Sequence, residues 1–327
     1  MVQYDTIIDD AFGFMKSRVI ITAAELGFFT RLDEKPATAD ELAEMMGLDK
    51  RATTRILDSL VAFGLLEKQD NHYKNTEKGV FLSSHHPETV LPMVLHMSRL
   101  WNSWSYLTDI VRKGSRRKRK QAEIDETNRE AFIGAMHAIG RSLSIEIAND
   151  YDVSRFKRLL DVGGASGTYT IVFLRKNPKM TAVIFDLKSV IPMAKKRLKA
   201  EGLYDRVKCV AGDFHKDELP NGCDLALISA IIHQNSIKQN IELFTKVYRA
   251  LVPGGVILIR DHIMDESRTK PPTGTLFALN MLVNTLGGDT YTFREVKDAL
   301  TQAGFINVKL LRTGERMDCL VEAQKPV

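Results

Sequence analysis

The nine residues Leu159-Leu-Asp-Val-Gly-Gly-Ala-Ser-Gly167 join an apolar run to a glycine-rich turn. The apolar run extends over Arg158–Val162 and is typical of a buried β-strand. The stretch 167–176, which begins at the last glycine of the turn, has the pattern of a helix. Glycine permits a tight turn and lets a ligand approach the backbone, and the helix N-terminus faces whatever binds there. The stretch therefore predicts a strand–loop–helix unit with a ligand site at the loop.

The chain beyond this unit alternates between strand and helix. Further helices are expected at 189–201 and 236–252. Such alternation predicts a parallel sheet with right-handed crossovers, and hence a Rossmann-like α/β fold. The last segments, 305–311 and 317–322, are predicted to form an antiparallel hairpin, which differs from the usual dinucleotide-binding sheet. The remaining strands are expected at 182–186, 207–210, 225–229 and 256–259.

The composition excludes several classes of protein. With 327 residues, 44% of them apolar and 27% charged, the chain can build two ordinary domains and is unlike a disordered or collagen-like chain. Its three cysteines (Cys209, Cys223 and Cys319) are far apart and lack metal-ligand spacing, which also argues against a disulfide scaffold. No apolar run approaches the roughly 18 residues of a membrane span, and Met1–Asp5 carries no basic leader. We therefore expect a cytoplasmic protein without a metal centre.

Residues 1–100 are predicted to form a mostly helical, winged-helix-like domain. A helix over 4–26 is followed by the capping-box pattern Thr38-Ala-Asp-Glu41 and by Asp49, which is placed to cap a further helix. A turn at Asp70-Asn71 then predicts a short hairpin. Winged helices often bind DNA, but this stretch holds 11 Lys and Arg against 15 Asp and Glu, so it offers phosphates no cationic surface. The alternative, which we favour, is a dimerisation domain with a shared apolar face.

The net charge of +5 comes from one segment. Arg112–Lys120 holds seven basic residues, so the rest of the chain carries −2. This run could meet an anionic partner, but Glu123, Asp125 and Glu126 follow at once, and we interpret it as a solvated loop. The basic run lies within residues 101–150, which we expect to form a helical connector that contributes to a substrate pocket. The second domain is expected to span residues 151–327.

Asp186 ends the second predicted strand, 19 residues after Gly167. A carboxylate at that position accepts both hydroxyls of a ribose in the nucleoside sites of open α/β sheets. Gly212-Asp213-Phe214 follows the third strand, where Asp213 could accept from an adenine amino group and Phe214 could pack on the ring. NAD stays open on this evidence. Asp161 argues against it, because a carboxylate inside the loop repels a pyrophosphate but suits a cationic or amino-acid ligand.

Four motifs together resemble those of class I S-adenosylmethionine-dependent methyltransferases: LLDVGGASG (159–167), VIFDL (183–187), AGDF (211–214) and LVPGG (251–255). More narrowly, the chain resembles over essentially its whole length the dimeric small-molecule O-methyltransferases, which include caffeate, hydroxyindole and bacterial polyketide enzymes. Ala165 stands where that family usually has glycine. The resemblance implies S-adenosylmethionine as cofactor and a homodimer, with Gly163 at the cofactor, Asp186 at its ribose, and Asp213 and Phe214 at its adenine. The full set of expected cofactor-binding residues is Asp161, Gly163, Gly164, Asp186, Leu187, Gly212, Asp213, Phe214 and Ser229.

His233 lies just past the fourth predicted strand, at the edge where ligands of open α/β sheets bind. An imidazole suits the removal of a phenolic or enolic proton, and the family places its catalytic base at this histidine. Asp261 ends the fifth strand, where the family has an acidic residue beside the base, and we expect it to orient His233. The chain departs from the family's His-Asp-Trp with Gln234 and Asn235, and Phe293 stands where a second acidic residue is usual.

The acceptor pocket is expected to draw on two parts of the chain. The family's substrate-contacting helix corresponds to the stretch around Phe277, whose polar and apolar positions are three and four residues apart and so share a face. His262, next to Asp261, is unusual for the family and is a further candidate. The expected substrate-binding residues are Phe132, Met136 and His137 in the connector, and His262, Phe277, Asn280, Met281 and Asn284 in the second domain.

These observations predict a cytoplasmic, homodimeric methyltransferase that acts on a hydroxyl group of a small, aromatic molecule, with His233 as general base. Gln234 and Asn235 leave open methylation of nitrogen, carbon or sulfur, or other S-adenosylmethionine chemistry on the same fold. A winged-helix DNA-binding regulator is a further alternative, although we expect neither a nucleic acid nor a membrane as partner. Analysis of the methylated product and a salt-dependent DNA-binding assay separate these possibilities.

Overall fold

The computed structural model describes residues 4–114 and 126–327. These residues divide into two compact units. The first contains the described residues up to Asn102 together with Gly134–Ala138, and the second contains the others from Ser103 onward. Residues 115–120 of the basic run, and Glu123 and Asp125 after it, lie outside the described residues. None of the described helices is both long and apolar enough to cross a membrane.

The first unit has the helices and the hairpin expected from the sequence, together with a short helix, Phe28–Glu34, that was not predicted. The capping box is confirmed: Thr38 Oγ1 accepts from the Glu41 amide (3.2 Å), and the Glu41 carboxylate accepts from the Thr38 amide (2.7 Å). Asp49 caps the next helix by accepting from the Ala52 amide (2.7 Å). The elements in chain order are α1 (Tyr4–Glu25), α2 (Phe28–Glu34), β1 (Ala37–Thr38), α3 (Ala39–Met46), α4 (Lys50–Ala62), β2 (Leu66–Gln69) and β3 (His72–Asn75).

The hairpin of this unit belongs to a small antiparallel sheet with the order β1-β3-β2. Asp70 and Asn71 have φ of 48° and 62°, the left-handed conformations that a two-residue hairpin turn requires. The two-residue strand β1, which the sequence did not predict, pairs with β3 through Ala37 and Tyr73. The fully buried side chains Phe28 and Leu57 join α2 and α4 in one apolar core with this sheet.

The described residues that follow contain the α-helices α5 (Leu91–Trp104), α6 (Leu107–Lys113) and α7 (Glu126–Asp150). The strands and helices predicted for the second half are confirmed, most of them to within two residues. The described elements of this half are β4 (Arg158–Val162), α8 (Thr168–Lys176), β5 (Thr181–Asp186), α9 (Ile191–Ala200), β6 (Val207–Ala211), β7 (Cys223–Ser229), α10 (Ile237–Ala250), β8 (Leu251–Asp261), β9 (Ile263–Met264), α11 (Pro272–Asn284), β10 (Tyr291–Thr292), α12 (Phe293–Gln302), β11 (Ile306–Arg312) and β12 (Cys319–Gln324). Of these, β9, β10 and α12 were not predicted.

The described part of the second unit contains a seven-stranded sheet with the order β11-β12-β8-β7-β4-β5-β6. Strands β4 to β8 pair in parallel, whereas β12 is antiparallel to both β8 and β11. The predicted parallel sheet with a reversed terminal hairpin is therefore confirmed. β8 is longer than expected because Leu251 already pairs with Cys223, before a register shift that precedes Leu225.

Helices cover both faces of this sheet. Leu160 points into a core shared with α10 and α12, and its neighbour Leu159 points into a core shared with α7, α8 and α9. Strands buried on both faces read as continuous apolar runs, which is why the sequence located them. The edge formed by the carboxyl ends of the strands remains as the place for a ligand.

Candidate active site

The loop after β4 depends on glycine at two adjacent positions. Gly163 has a φ of 67°, and a Cβ there would lie 2.6 Å from Cδ1 of Ile231. A Cβ at Gly164 would lie 2.7 Å from the carboxyl carbon of Asp161. Ala165 has a φ of 49°, a left-handed conformation that costs a non-glycine residue roughly 1–2 kcal/mol. The loop thus adopts the same backbone conformation with Ala165 in place of a third glycine. Its backbone is open to close approach by a ligand.

Asp186 ties this loop to the end of β5. Its Oδ2 accepts from the Ala165 amide (2.8 Å) and its Oδ1 accepts from the Leu187 amide (2.7 Å). The main-chain oxygen of Asp186 accepts from the Gly212 amide (2.9 Å), which joins the end of β6 to the same point. A carboxylate offers about four acceptor positions, so Asp186 can also receive the hydroxyls of a ribose.

Asp213 and Phe214 lie at the end of β6, next to the glycine-rich loop. Asp213 accepts from the His215 amide (3.0 Å) and forms an ion pair with Lys216 (3.0 Å), so it also holds the local turn. The Phe214 ring is close enough to the loop that a Cβ at Gly163 would lie 3.8 Å from it. Together with the exposed Leu187, this arrangement fits a nucleoside: a carboxylate for the ribose beside apolar groups for the base. The assignment of these residues to a cofactor remains a prediction.

Asp161 is fully buried beneath the loop. Its Oδ2 accepts from the Thr170 hydroxyl (2.6 Å), and burial raises the pKa of its carboxyl to about 6. No sequence pattern predicted Thr170, on α8, as its partner. A buried carboxyl at this point disfavours a pyrophosphate and is compatible with a ligand that carries a positive charge.

Asp161 should make the stability of the protein depend on pH. Its folded-state pKa exceeds the ordinary value of 3.8, so between about pH 4 and pH 6 the folded protein binds more protons than the unfolded chain, and the free energy of unfolding falls as pH rises. We expect Asp161→Asn to be more stable than wild type by at most roughly 3 kcal/mol above pH 6 and equally stable below pH 4. Denaturant unfolding of ligand-free protein across this range measures the difference, with the exposed Asp205→Asn as control. A difference between Asp161→Asn and wild type that is the same at every pH would contradict this assignment.

The end of β7 carries Ser229, whose hydroxyl accepts from Nε of Arg260 on β8 (2.8 Å). Arg260 also donates to the main-chain oxygen of Met317 (3.0 Å), so it connects two strand ends with the turn before β12. Arg260 was not predicted as a site residue, and it is only 8% exposed. A charged residue inside the apolar run Val256–Asp261 was the available signal, because buried charges need a specific reason.

His233 and Asp261 form a hydrogen-bonded pair beyond the ends of β7 and β8. Nδ1 of His233 lies 2.9 Å from both carboxylate oxygens of Asp261, and Oδ1 of Asp261 also accepts from the His262 amide (2.8 Å). Burial alone would raise the pKa of Asp261, but His233 and Arg260 keep that pKa below its ordinary value. An ionised carboxylate only accepts, so Nδ1 carries the proton and Nε2 is left able to take one. This geometry suits a general base.

Gln234 and Asn235, which stand where the family pattern has Asp and Trp, lie in different environments in the structure. Asn235 is buried, its Nδ2 donates to Oδ1 of Asn240 (3.1 Å), and its main-chain oxygen accepts from the Tyr291 hydroxyl. Gln234 is exposed to solvent. Asn235 therefore anchors the turn that carries His233 to α10 and β10.

Phe277 on α11 connects His233 with His262. Its ring stands edge-on to the His233 ring at 4.8 Å between centroids, and lies 5.0 Å from that of His262. One turn further along α11, Oδ1 of Asn280 accepts from Trp104 Nε1 (3.1 Å) and from Asn284 Nδ2 (2.9 Å). The amide nitrogen of Asn284 is thus engaged within the helix. Trp104 therefore positions the side chain of Asn280.

The expected substrate-binding residues fall into three groups. His262 and Phe277 lie around the His233–Asp261 pair, and the buried Met281 lies on α11 with Asn280 and Asn284. Met136 and His137 belong to the segment grouped with the first unit. The side chain of Phe132 lies outside the described residues. The role of each residue stays a prediction. In the described part of the chain, no cluster of three or more His, Cys, Asp or Glu side chains is arranged to hold a metal.

Comparison with known proteins covers both units. The family model of the O-methyltransferase domain matches residues 104–306, and that of the O-methyltransferase dimerisation domain matches residues 8–84. The tetracenomycin polyketide synthesis 8-O-methyl transferase of Streptomyces glaucescens is 31% identical, over 93% of this chain and 91% of its own. The 3-hydroxy-5-methyl-1-naphthoate 3-O-methyltransferase of Streptomyces sahachiroi is also 31% identical, over 94% and 90%. The crystal structure of human N-acetylserotonin methyltransferase in complex with S-adenosylmethionine superposes with a TM-score of 0.88 at 27% identity, over 100% and 99% of the two chains.

Proposed function

Because the chain belongs to the family of O-methyltransferases that carry an O-methyltransferase dimerisation domain, we propose that it methylates a hydroxyl group of a small aromatic molecule, with His233 as the general base. The observation that carries this proposal is the His233–Asp261 pair, which lies beside the aromatic ring of Phe277. The two Streptomyces relatives, named for a polyketide and a naphthoate, support an aromatic acceptor.

The cofactor of the enzyme is S-adenosylmethionine, which supplies a methyl group on a sulfonium and is already an activated electrophile. We infer that Gly163, Gly164 and Gly212 let it approach the backbone and that Asp186 accepts its ribose hydroxyls. Asp213, Phe214 and Leu187 would hold the adenine, and Asp161 and Ser229 would lie towards its amino-acid end. The arrangement fits this cofactor because Asp186 joins the ends of β4, β5 and β6 through its hydrogen bonds with the Ala165 and Gly212 amides.

The chain's own residues would act on the acceptor in a simple order. Phe277 packs against the acceptor and excludes water from His233. Nε2 of His233 then takes the hydroxyl proton as the oxygen becomes a nucleophile, and Asp261 stabilises the imidazolium that forms. Alignment of the acceptor is the other contribution, since correct positioning of reactants can supply much of a rate enhancement.

Methyl transfer from labelled S-adenosylmethionine tests the proposed function. The purified enzyme is incubated with methyl-labelled cofactor and a set of naphthols, hydroxyindoles and matched aliphatic alcohols, and the labelled product is identified by NMR. We expect the label as an aryl methyl ether. Label that appears only in aliphatic ethers, or on nitrogen, carbon or sulfur of control acceptors, would contradict the proposal.

We also propose a homodimer that forms through the first unit. Several large apolar side chains of α1 are at least half exposed in the single chain. A patch of exposed apolar side chains usually marks a protein–protein interface. The presence of an O-methyltransferase dimerisation domain over 8–84 supports this interpretation. The exposed side chains are Ile7, Ile8, Phe12, Phe14 and Met15.

Charged substitutions on α1 should therefore separate the protomers. Ile8→Asp combined with Phe12→Asp would place two carboxylates in the apolar patch, and we expect the mass in light scattering to fall to that of one chain. Val111→Asp on α6 is the matched control, because Val111 is 71% exposed, and it should leave the dimer intact. A wild-type enzyme that is an active monomer, or a double variant that stays dimeric, would contradict the proposed interface.

A further inference from the structure

His262 is a buried imidazole with an unused nitrogen. The residue is 6% exposed, and among the described residues its Nδ1 is buried without a hydrogen-bond partner. Its main-chain amide is already used by Asp261. An unpaired buried polar group costs about 1–3 kcal/mol, so a side chain of this kind is expected to have a partner in the functional complex.

The surroundings of His262 are those of the acceptor site. Phe277 lies against both the His262 and His233 rings, at centroid distances of 5.0 Å and 4.8 Å, so the two imidazoles are no further apart than the sum of these distances. Phe277 thus contacts both imidazoles, and Asp261 joins the two residues, because its Oδ1 accepts from Nδ1 of His233 and from the main-chain amide of His262. We therefore expect an acceptor that presents its hydroxyl to His233 to lie next to His262 as well.

The charge state of His262 follows from its neighbours. Burial lowers the pKa of its imidazole, and so do His233 and Arg260, whereas Asp261 and Asp318 oppose them. The ring is therefore neutral at neutral pH, and a neutral imidazole offers one N–H donor and one nitrogen acceptor. Such a group pairs equally well with a hydroxyl or with a carbonyl oxygen, but it gives no attraction specific to an anion.

We propose that His262 determines acceptor specificity by forming a hydrogen bond with a second polar group, a hydroxyl or a carbonyl, of the same aromatic molecule that presents its hydroxyl to His233. This inference rests on the proposed function and adds the class of acceptor, an aromatic ring with two oxygen substituents. Nδ1 is shielded in this conformation, so the imidazole turns about its Cβ–Cγ bond when the acceptor binds; such side-chain rearrangements are common at binding sites. An acceptor without the second group leaves the nitrogen unpaired, and sites of this kind discriminate strongly against such analogues.

The test compares phenol with its three dihydroxy relatives, catechol, resorcinol and hydroquinone, using the full-length enzyme. We expect wild type to favour at least one dihydroxybenzene over phenol in kcat/KM by about 10- to 100-fold. His262→Phe, which keeps a planar ring and removes both nitrogens, should reduce that preference to about threefold or less. His262→Asn places an amide atom close to the position of Nδ1 and should keep most of the preference.

Binding of S-adenosylhomocysteine, measured by calorimetry, controls for folding and should be the same in all three proteins. A preference that is equal in wild type and His262→Phe would overturn the role of His262 while leaving the proposed function intact. A wild type without any preference for the dihydroxybenzenes would do the same. Absence of methyl transfer to these four compounds and to the naphthols and hydroxyindoles, with intact binding of S-adenosylhomocysteine, would overturn both proposals.

Discussion

His233→Ala should lower the turnover number by about 10²- to 10⁴-fold, the contribution typical of a positioned general base. The physical reason is that Nε2 is the nitrogen left to accept a proton once Nδ1 donates to Asp261. Affinity for S-adenosylhomocysteine should hardly change, because the proposed cofactor contacts lie at the ends of β4, β5 and β6. Steady-state kinetics with a methylated acceptor, together with calorimetry, measures both quantities.

The neighbouring residue provides the control for this substitution. Gln234 lies on the same turn as His233 but is exposed, so Gln234→Ala should keep the activity of wild type. If His233→Ala retains turnover within about threefold of wild type, His233 does not act as a base. In that case the departures at Gln234 and Asn235 would be read as signs of a different chemistry.

Asp186→Ala should weaken binding of S-adenosylhomocysteine by about 10- to 100-fold, since it removes acceptors for the ribose and leaves their partners unpaired at ~1–3 kcal/mol. The substitution also removes the acceptor of the Ala165 and Leu187 amides, and the loop that carries Gly163 loses its tie to β5. Isothermal titration calorimetry gives the dissociation constants, and thermal unfolding shows whether the variant is folded.

Asp298→Ala is the matched control for this prediction. Asp298 is an exposed aspartate on α12, and its loss should leave the dissociation constant unchanged. An Asp186→Ala enzyme that binds S-adenosylhomocysteine as tightly as wild type would remove Asp186 from the cofactor site. Tight binding of NAD to the wild type would contradict the assignment of the glycine-rich loop after β4 to S-adenosylmethionine.

The sequence predicted the parts of the fold that depend on neighbours along the chain. The capping box of Thr38 and Glu41 and the turn at Asp70 and Asn71 are local patterns whose chemistry specifies one conformation. The strands of the main sheet were recognisable because burial on both faces produces continuous apolar runs. By contrast, β9 and β10 are two residues each and pair across 28 positions, so no local pattern reveals them.

The candidate site divides in the same way. The loop after β4, Asp186 and the His233–Asp261 pair lie at strand ends, and strand order brings them to one edge, so the predicted strands together with the family resemblance pointed to them. The bond between Trp104 and Asn280 joins residues 176 positions apart, and the role of Asn235 as an anchor depends on Asn240 and Tyr291. Contacts of this kind are set by tertiary packing, which a single sequence does not display.

The dependence of the His233 effect on the acidity of the acceptor tests the central claim most directly. Turnover of wild type and of His233→Ala is measured at neutral pH with ring-substituted phenols, from phenol itself to para-nitrophenol, whose hydroxyl is far more acidic. If His233 removes the acceptor's proton, the ratio of wild-type to variant turnover is large, about 10² or more, for phenol and falls towards unity as the acceptor ionises on its own. A ratio that stays constant across the series would contradict the account, because His233 would then contribute something other than proton removal.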